Sequence, residues 1–188
     1  MGLRELKKAK TRKHISDVAT RLFIEKGFHE VTVEEIARVA EVSVPTLFKY
    51  FPTKVALVFD EDDEREQRII EAVKQRATGT SILDAIYALA LKSPIVQAQQ
   101  NPEAKRFLNL IRNTPELEQH ARTSWLQVEK SLAAVIRADS LVKISAMEAE
   151  VIAHFIVESL HRCTQAGDIK LLQNLFDILR TGCPAGIK

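Results

Sequence analysis

The stretch that decides the fold is TVEEIARVAEVSVPTLFKYFPTK, residues 32–54. It predicts two short helices joined by a tight turn, the outline of a helix-turn-helix whose second helix enters the major groove of DNA. Thr32 and Ser43 are the predicted N-caps of the two helices, and Glu35 is placed to complete a capping box with Thr32. Pro45 fits the first turn of the second helix, because an amide hydrogen there would have no intrahelical partner.

A helix that reads DNA needs a buried side, an exposed first turn that reaches base edges, and flanking groups that bind phosphates. The apolar residues Leu47, Phe48 and Phe51 are assigned to the buried side. The first turn offers apolar contacts to thymine methyl groups and a hydroxyl, and nearby cationic and phenolic groups reach phosphates or bases. The predicted DNA contacts are Thr32, Ser43, Val44, Pro45, Thr46, Lys49, Tyr50 and Lys54. The alternative is that these are two capped helices of an ordinary all-α core.

Composition predicts an all-α protein. The 188 residues include only 6 Gly and 6 Pro, 46% of them are hydrophobic, and no long segment alternates apolar and polar residues. About nine helices and no strand are expected. The first helix carries an apolar stripe at Ile15, Val18, Ala19, Leu22 and Phe23, and Gly27 is expected to end it. After the helix-turn-helix, the approximate bounds are residues 53–77, 82–91, 101–112, 114–137, 145–164 and 169–180.

Positive charge is concentrated at the start of the chain. Residues 1–54 hold 11 basic and 7 acidic residues, whereas the remainder holds 16 basic and 18 acidic residues. Six of the basic residues lie within residues 2–13, here called the basic arm: Arg4, Lys7, Lys8, Lys10, Arg12 and Lys13. The arm is expected to add phosphate or minor-groove contacts to a local DNA site. The alternative is a disordered tail that improves solubility.

Other patterns favour no catalytic, metal or cofactor chemistry. The chain has no nucleophile elbow and no phosphate-binding glycine loop, so it is predicted not to be an enzyme and to need no cofactor. The acidic run at residues 60–66 is interpreted as a solvated helix face, with a cation site at Asp60, Asp63 and Glu64 as the alternative. His154 and His161 lack further ligands at zinc spacing.

The two cysteines and the hydropathy pattern predict a cytoplasmic location. Cys163 and Cys183 are too far apart in sequence for a paired metal motif, and a reduced chain is the simpler interpretation, although a disulfide stays open. No signal peptide or membrane-spanning run is visible, since no uncharged run approaches about 18 residues.

The pattern T-V-x-x-I-A-x-x-A-x-V-S-x-x-T-L-F-x-Y-F-x-x-K over residues 32–54 resembles the DNA-binding signature of TetR-family transcriptional regulators. The preceding I-x-x-V-A-x-x-L-F-x-x-x-G-F over residues 15–28 is similar to the first helix of that family. The resemblance covers about residues 10–60. One departure is Glu41, which occupies a turn position where family members often have glycine, and its side chain is expected to point to solvent.

The resemblance implies a ligand-responsive repressor built from two parts. Residues 1–54 would bind DNA, and residues 55–188 would form a regulatory, ligand-binding and dimerisation domain. A homodimer would bind a palindromic operator, and a small-molecule effector would tilt the long helix at residues 53–77 and release the DNA. No membrane partner is expected.

The resemblance also implies effector and dimer contacts. Apolar residues on helices that surround the family's pocket are the predicted effector contacts: Phe59, Leu89, Phe107, Ile111, Trp125 and Val128. Broad apolar faces on the last two helices predict the dimer interface: Val151, Ile152, Phe155, Ile156, Ser159, Leu160, Leu172, Leu175, Phe176 and Leu179. For both sets the alternative is ordinary core packing. Two rival functions stay open, a helical binding or scaffold protein and a helical enzyme, the latter without a supporting motif.

Overall fold

The computed structural model describes residues 2–96, 101–139 and 143–182. Over these residues the chain forms nine α-helices, one short 3₁₀ turn and no strand, which confirms the all-α prediction. The first helices are α1 (Leu3–Lys26), α2 (Val33–Val39) and α3 (Val44–Tyr50), followed by the 3₁₀ turn Val55–Leu57. The others are α4 (Asp62–Lys74), α5 (Ile82–Ala90), α6 (Pro102–Arg112), α7 (Pro115–Ala138), α8 (Ala146–Ala166) and α9 (Ile169–Thr181). None of the described helices is long and apolar enough to cross a membrane.

The helices belong to two compact units. The first unit comprises Met1–Asp62 and Asn109–His120, and the second comprises Asp63–Leu108 and Ala121–Lys188. The predicted boundary after residue 54 therefore lies inside the first unit. The assignment of DNA binding to residues 1–54 and of regulation to residues 55–188 stays a prediction.

The first unit is organised around α1. Its predicted apolar stripe is buried from Ile15 to Phe23, as the spacing requires. The basic arm is itself helical and forms the first turns of the same helix, so it is not the disordered tail of the alternative interpretation. The helix ends at Lys26, where Gly27 adopts a φ of 96° that favours glycine.

The two predicted N-caps of the helix-turn-helix are confirmed. The Oγ1 atom of Thr32 accepts a hydrogen bond from the Glu35 amide at 3.1 Å, and the Oγ atom of Ser43 accepts one from the Thr46 amide at 3.2 Å. The complete capping box at Thr32 was wrong, because the Glu35 carboxylate instead accepts a hydrogen bond from the Lys26 ammonium at 2.6 Å. Only the first half of the box is present.

The buried side of α3 is narrower than predicted. Leu47 and Phe51 are fully buried, but Phe48 is 45% exposed, so its assignment to the core was wrong. Residues 47 and 51 are four apart and share one helix face, whereas residue 48 is rotated by about 100° from residue 47. A helix of two turns that packs on one side leaves such a residue at its edge.

The predicted long helix at residues 53–77 was also wrong. After the 3₁₀ turn Val55–Leu57 the helical hydrogen bonding is interrupted, and α4 begins only at Asp62. Side chains of α1 bond to the carbonyls that a continuous helix would use internally: the Ser16 hydroxyl donates to Leu57 O at 2.8 Å and the Arg12 guanidinium donates to Asp60 O at 3.4 Å. Tertiary contacts thus replace the intrahelical bonds.

The second unit has its own apolar core. Its fully or nearly fully buried members include Ile69, Val73, Ile86, Trp125, Val128, Leu132, Ile136, Ile156, Leu160, Leu172 and Phe176. Asn101 caps α6 and Ser145 caps α8, and Ser145 forms a complete capping box with Glu148. Burial raises the pKa of the free Cys163 thiol to about 11, while Cys183 lies outside the described residues.

Glu41 is exposed, as expected, and has a φ of 55°, the only positive value among the described non-glycine residues. This left-handed conformation costs a non-glycine residue about 1–2 kcal/mol, and the extra freedom of glycine in the unfolded chain offsets part of that cost. We therefore expect Glu41→Gly to raise the free energy of unfolding by about 0.5–1 kcal/mol in urea titrations.

Glu41→Ala is the control for this prediction. It removes the carboxylate but keeps a Cβ atom in the same backbone conformation, so it should leave stability nearly unchanged. Equal stabilisation by alanine and glycine would show that the charge, and not the backbone conformation, is the unfavourable feature of this turn.

Candidate nucleic-acid interface

The first turn of α3 is presented to solvent. Ser43 and Pro45 are exposed, and Val44 and Thr46 are half-buried. The hydroxyls of Ser43 and Thr46 lie 2.8 Å apart and hydrogen-bond to each other, which orients both side chains. Whichever hydroxyl donates, the Thr46 oxygen keeps at least one free lone pair and the pair of hydroxyls keeps one free hydrogen for an outside partner. The cap therefore holds the helix start rigid without hiding it.

The last turn of α3 carries a cation and two aromatic rings. Lys49 is exposed, and no carboxylate of the described residues pairs with it. Tyr50 is half-buried, and its backbone carbonyl accepts a hydrogen bond from Arg12 at 2.8 Å. The exposed Phe48 adds apolar surface that the sequence analysis missed. Only the pairing of Leu47 with Phe51 four residues later would have indicated that Phe48 lies outside the buried side.

Lys54 lies against aromatic rings of the same unit. Its ammonium nitrogen is 4.6 Å from the ring centroid of Phe28 and 5.5 Å from that of Phe23. Burial lowers the pKa of Lys54 below its usual value, and the nearby Glu116 and Glu30 charges oppose that effect. A cation–π contact of this kind stabilises the unit. The phosphate contact assigned to Lys54 stays a prediction.

The exposed part of α1 presents unpaired cations. Arg4, Lys7, Lys8 and Lys10 are exposed, and within the described residues none of the four forms an ion pair with a carboxylate. Lys13 differs, because it binds Asp17 at 3.2 Å, and that hydrogen bond raises the pKa of Lys13. The four unpaired cations are named below as the cationic face of α1.

The carboxylates of the acidic run at residues 60–66 have different surroundings. Asp60 is half-buried, and burial raises the pKa of its carboxyl group, against the hydrogen bond from Ser16. Asp62 lies 3.3 Å from the His120 ring nitrogen. In the described part of the chain, no group of three or more His, Cys, Asp or Glu residues is arranged to hold a metal ion.

Residues 15–60, which contain the whole helix-turn-helix, match the family model described as "Bacterial regulatory proteins, tetR family". Residues 15–60 therefore form a TetR-family DNA-binding region. The chain is 28% identical over 119 residues to the transcriptional regulator MftR of Mycobacterium tuberculosis. The aligned residues make up 63% of this chain and 60% of MftR. The chain spans 38–60% of the length of the curated relatives it matches, and all three are named transcriptional regulators.

Solved structures of the family share the fold. NalD of Pseudomonas aeruginosa, the secondary repressor of the MexAB-OprM multidrug efflux pump, superposes with a TM-score of 0.61 at 18% identity, covering 90% of this chain and 96% of NalD. FadR of Thermus thermophilus, a repressor solved with lauroyl-CoA, superposes with a TM-score of 0.56 at 21% identity, covering 93% of this chain and 95% of FadR. At these identities the likeness shows the fold alone.

The six predicted effector contacts belong to both units of the chain. Trp125 lines a groove of about 240 Å³ that is formed by residues of α7 and α8. The centroid of the Trp125 ring lies 5.9 Å from that of the His161 ring, which lines the same groove. A larger cavity of about 600 Å³ is lined by Val73, Lys74, Arg76, Ala77, Thr78, Ala134, Val135, Ala138 and Asp139. The other five predicted residues line neither cavity.

Those five residues have other places. Val128 is buried in the core of the second unit, Leu89 packs against that core, and Phe107 is half-buried. Phe59 and Ile111 belong to the first unit, where the Phe59 ring stacks 4.5 Å from that of His120. Their role as effector contacts stays a prediction.

The predicted dimer face is divided by the fold. Five of its ten residues are buried within the single chain and expose little area to a partner: Ile156, Ser159, Leu160, Leu172 and Phe176. Leu175 and Leu179 are partly buried against the same core. The exposed apolar face of α8 comprises Val151, Ile152 and Phe155 together with Met147, which the sequence analysis missed. The helix is apolar on two sides because one side packs on its own chain.

Proposed function

We propose that this TetR-family protein is a cytoplasmic transcriptional repressor that binds a palindromic operator as a homodimer and is released by a small molecule. The observation that carries the proposal is the exposed first turn of α3, which Ser43 caps, on the same short helix as the unpaired Lys49. This turn meets the geometric requirement for reading base edges in the major groove, with Val44, Pro45 and Thr46 as the reading residues.

The cationic face of α1 supplies phosphate contacts in this proposal. Arg4, Lys7, Lys8 and Lys10 gain attraction to DNA without first breaking an internal ion pair. Because the basic arm is helical, contact with the outside of the duplex is favoured over insertion into the minor groove. A helix with its side chains is about 10–12 Å wide, whereas the minor groove is about 6 Å wide.

Dimerisation is supported by the exposed apolar face of α8. Met147, Val151 and Phe155 succeed one another at intervals of four residues, so they form one ridge along the helix, with exposures of 75%, 48% and 55%. A contiguous apolar ridge of this kind marks an interaction surface. Two copies related by a twofold axis would present two α3 helices to the two halves of a palindrome.

Small-molecule release is supported by the second unit. Its cavity of about 600 Å³ lies within the range of about 300–1,000 Å³ that small-molecule sites occupy. The FadR relative was solved with lauroyl-CoA, which makes ligand binding by the same fold a reasonable proposal for this chain. Trp125, one of the effector contacts proposed for this chain, lines the separate groove of about 240 Å³ and not this cavity.

The experiment that tests this function is selection of bound sequences from a random duplex library, with the full chain at near-physiological salt. Such salt is needed because nonspecific attraction to phosphates is strong at low salt. Enrichment of an inverted repeat would support a dimeric sequence reader, and its release could then be screened with small molecules. A folded protein that enriches no sequence would contradict the proposal and favour the binding or scaffold alternative.

A charge change at the cap of α3 gives a second test. Asp and Asn cap helices about as well as Ser, so Ser43→Asp and Ser43→Asn should both keep the stability of the protein. Only the aspartate places a negative charge where α3 meets DNA. We expect Ser43→Asp to weaken operator binding by at least about tenfold relative to Ser43→Asn, measured by fluorescence anisotropy at one salt concentration. Equal affinity of the two variants would place the first turn of α3 away from the DNA.

The proposed dimer is tested on α8. Phe155→Glu should shift the protein to monomer in sedimentation velocity runs, because two buried carboxylates would face each other or apolar side chains across the twofold interface. Since Phe155 is 55% exposed in the single chain, the fold should be kept. Phe48→Glu is the matched control, an aromatic residue 45% exposed on α3, and should leave the oligomeric state unchanged. Dissociation by both variants, or by neither, would contradict the assignment.

A further inference from the structure

Arg12 bonds to two separate points of the backbone. Its Nη1 atom donates to Tyr50 O at 2.8 Å, and its Nη2 atom donates to Asp60 O at 3.4 Å. Its guanidinium carbon lies 4.4 Å from the ring centroid of the fully buried Phe51. Unlike the residues of the cationic face of α1, Arg12 is half-buried, and its guanidinium is already bonded to partners within the first unit.

The contact with Tyr50 is a contact with the end of α3. Tyr50 is the last residue of that helix, and the final carbonyls of a helix lack intrahelical partners. A cation at this end also interacts favourably with the helix dipole. Arg12 therefore satisfies a carbonyl of α3 at the end opposite to the exposed first turn.

The planar guanidinium explains why one side chain reaches both carbonyls. Its donors diverge in a fixed plane, so it can bond two acceptors while its face lies on an aromatic ring. A lysine keeps the charge but has one nitrogen on a flexible stem and cannot reproduce this arrangement. Ser16, one turn further along α1, donates its hydroxyl to Leu57 O at 2.8 Å, a carbonyl that lies after α3 and not within it.

We propose that Arg12 is a positioning residue for DNA recognition, which holds the C-terminal end of α3 and so fixes the angle at which the first turn of α3 meets the base edges. This inference rests on the proposed function. Attraction to phosphates depends on charge, whereas base reading depends on the placement of α3. Loss of the two hydrogen bonds from the Arg12 guanidinium thus lowers the affinity for a specific sequence more than the affinity for nonspecific DNA.

The test compares three variants of the full chain on two duplexes, the selected operator and a scrambled sequence of equal length. Arg12→Lys should weaken operator binding by at least about fivefold, since hydrogen bonds from a charged donor are lost, but change scrambled-duplex binding by less than about twofold. Lys8→Gln, a charge removed from the exposed part of α1, should weaken binding to both duplexes equally and reduce the salt slope by about one. Ser16→Ala removes an α1-to-backbone bond away from α3 and should leave the specificity ratio unchanged.

Hydrogen exchange gives a readout that does not depend on DNA. Amides of residues 47–51 should exchange faster in Arg12→Lys than in wild type or Ser16→Ala, because the last turn of α3 is no longer held. If Arg12→Lys does not fold, Arg12→Gln, which keeps one amide donor, takes its place with the same expectations.

Three results would overturn the inference. An unchanged specificity ratio in Arg12→Lys would show that α3 is placed without Arg12, and an equal loss in Ser16→Ala would show a general loss of stability. Equal weakening on both duplexes with a reduced salt slope would make Arg12 a phosphate ligand. If wild type selects no sequence, the proposed function fails, and faster exchange in residues 47–51 then still shows that the contact with α3 holds.

Discussion

Burial of one face of α1 is the constraint on which the first unit depends. The stripe from Ile15 to Phe23 is buried, and α1 packs against α2 and against the 3₁₀ turn after α3. Each fully buried side chain of this size contributes about 1.5–3 kcal/mol, so the stripe outweighs the individual polar contacts around it. Helices as short as α2 and α3 are not stable alone, because helix nucleation is unfavourable. Their position is therefore set by packing, and the caps define where they begin.

Polar groups on α1 complete what apolar burial begins. The carbonyls of Leu57 and Asp60 lose their intrahelical partners where the chain opens before α4, and α1 side chains satisfy both. An unsatisfied buried carbonyl costs about 1–3 kcal/mol, so the break in the helix is tolerated only because Ser16 and Arg12 are in place. Short acidic residues at the start of α4 favour a helix beginning there, since they interact well with its dipole.

Charges in the first unit serve different purposes according to their surroundings. Lys13 and Lys26 pair with carboxylates, and Lys54 lies over aromatic rings. Exposed pairs of this kind contribute little to stability, commonly below about 1 kcal/mol, yet they reduce the charge available to a polyanion. The cationic face of α1 and Lys49 carry no such partner in the described chain. The proposed DNA contact thus depends on which cations remain unpaired more than on the net charge.

Local sequence signals predicted much of this protein. The N-caps at Thr32, Ser43, Asn101 and Ser145, the stripe of α1 and the helix-turn-helix spacing were all readable, because each depends on residues within four positions of one another. The same holds for the family signature, whose residues lie in one short stretch. The first turn of α3 could accordingly be named as the candidate site from sequence.

Tertiary structure alone decided the features that depend on distant residues. Phe48 and Leu47 are both apolar neighbours in α3, and only the packing of α3 on one side exposes the first and buries the second. The segment at residues 53–77 contains no glycine or proline that would interrupt a helix. It is interrupted before Asp62 because side chains of α1 bond to its backbone carbonyls. An apolar residue of α8 gives the same sequence pattern whether its own chain or a partner covers it. Only the fold shows that Ile156 is buried within the chain and that Phe155 is exposed. Sequence by itself therefore determined where the capped helices begin. Tertiary contacts decided where α4 begins and which face of each helix stays exposed, because both depend on residues far away along the chain.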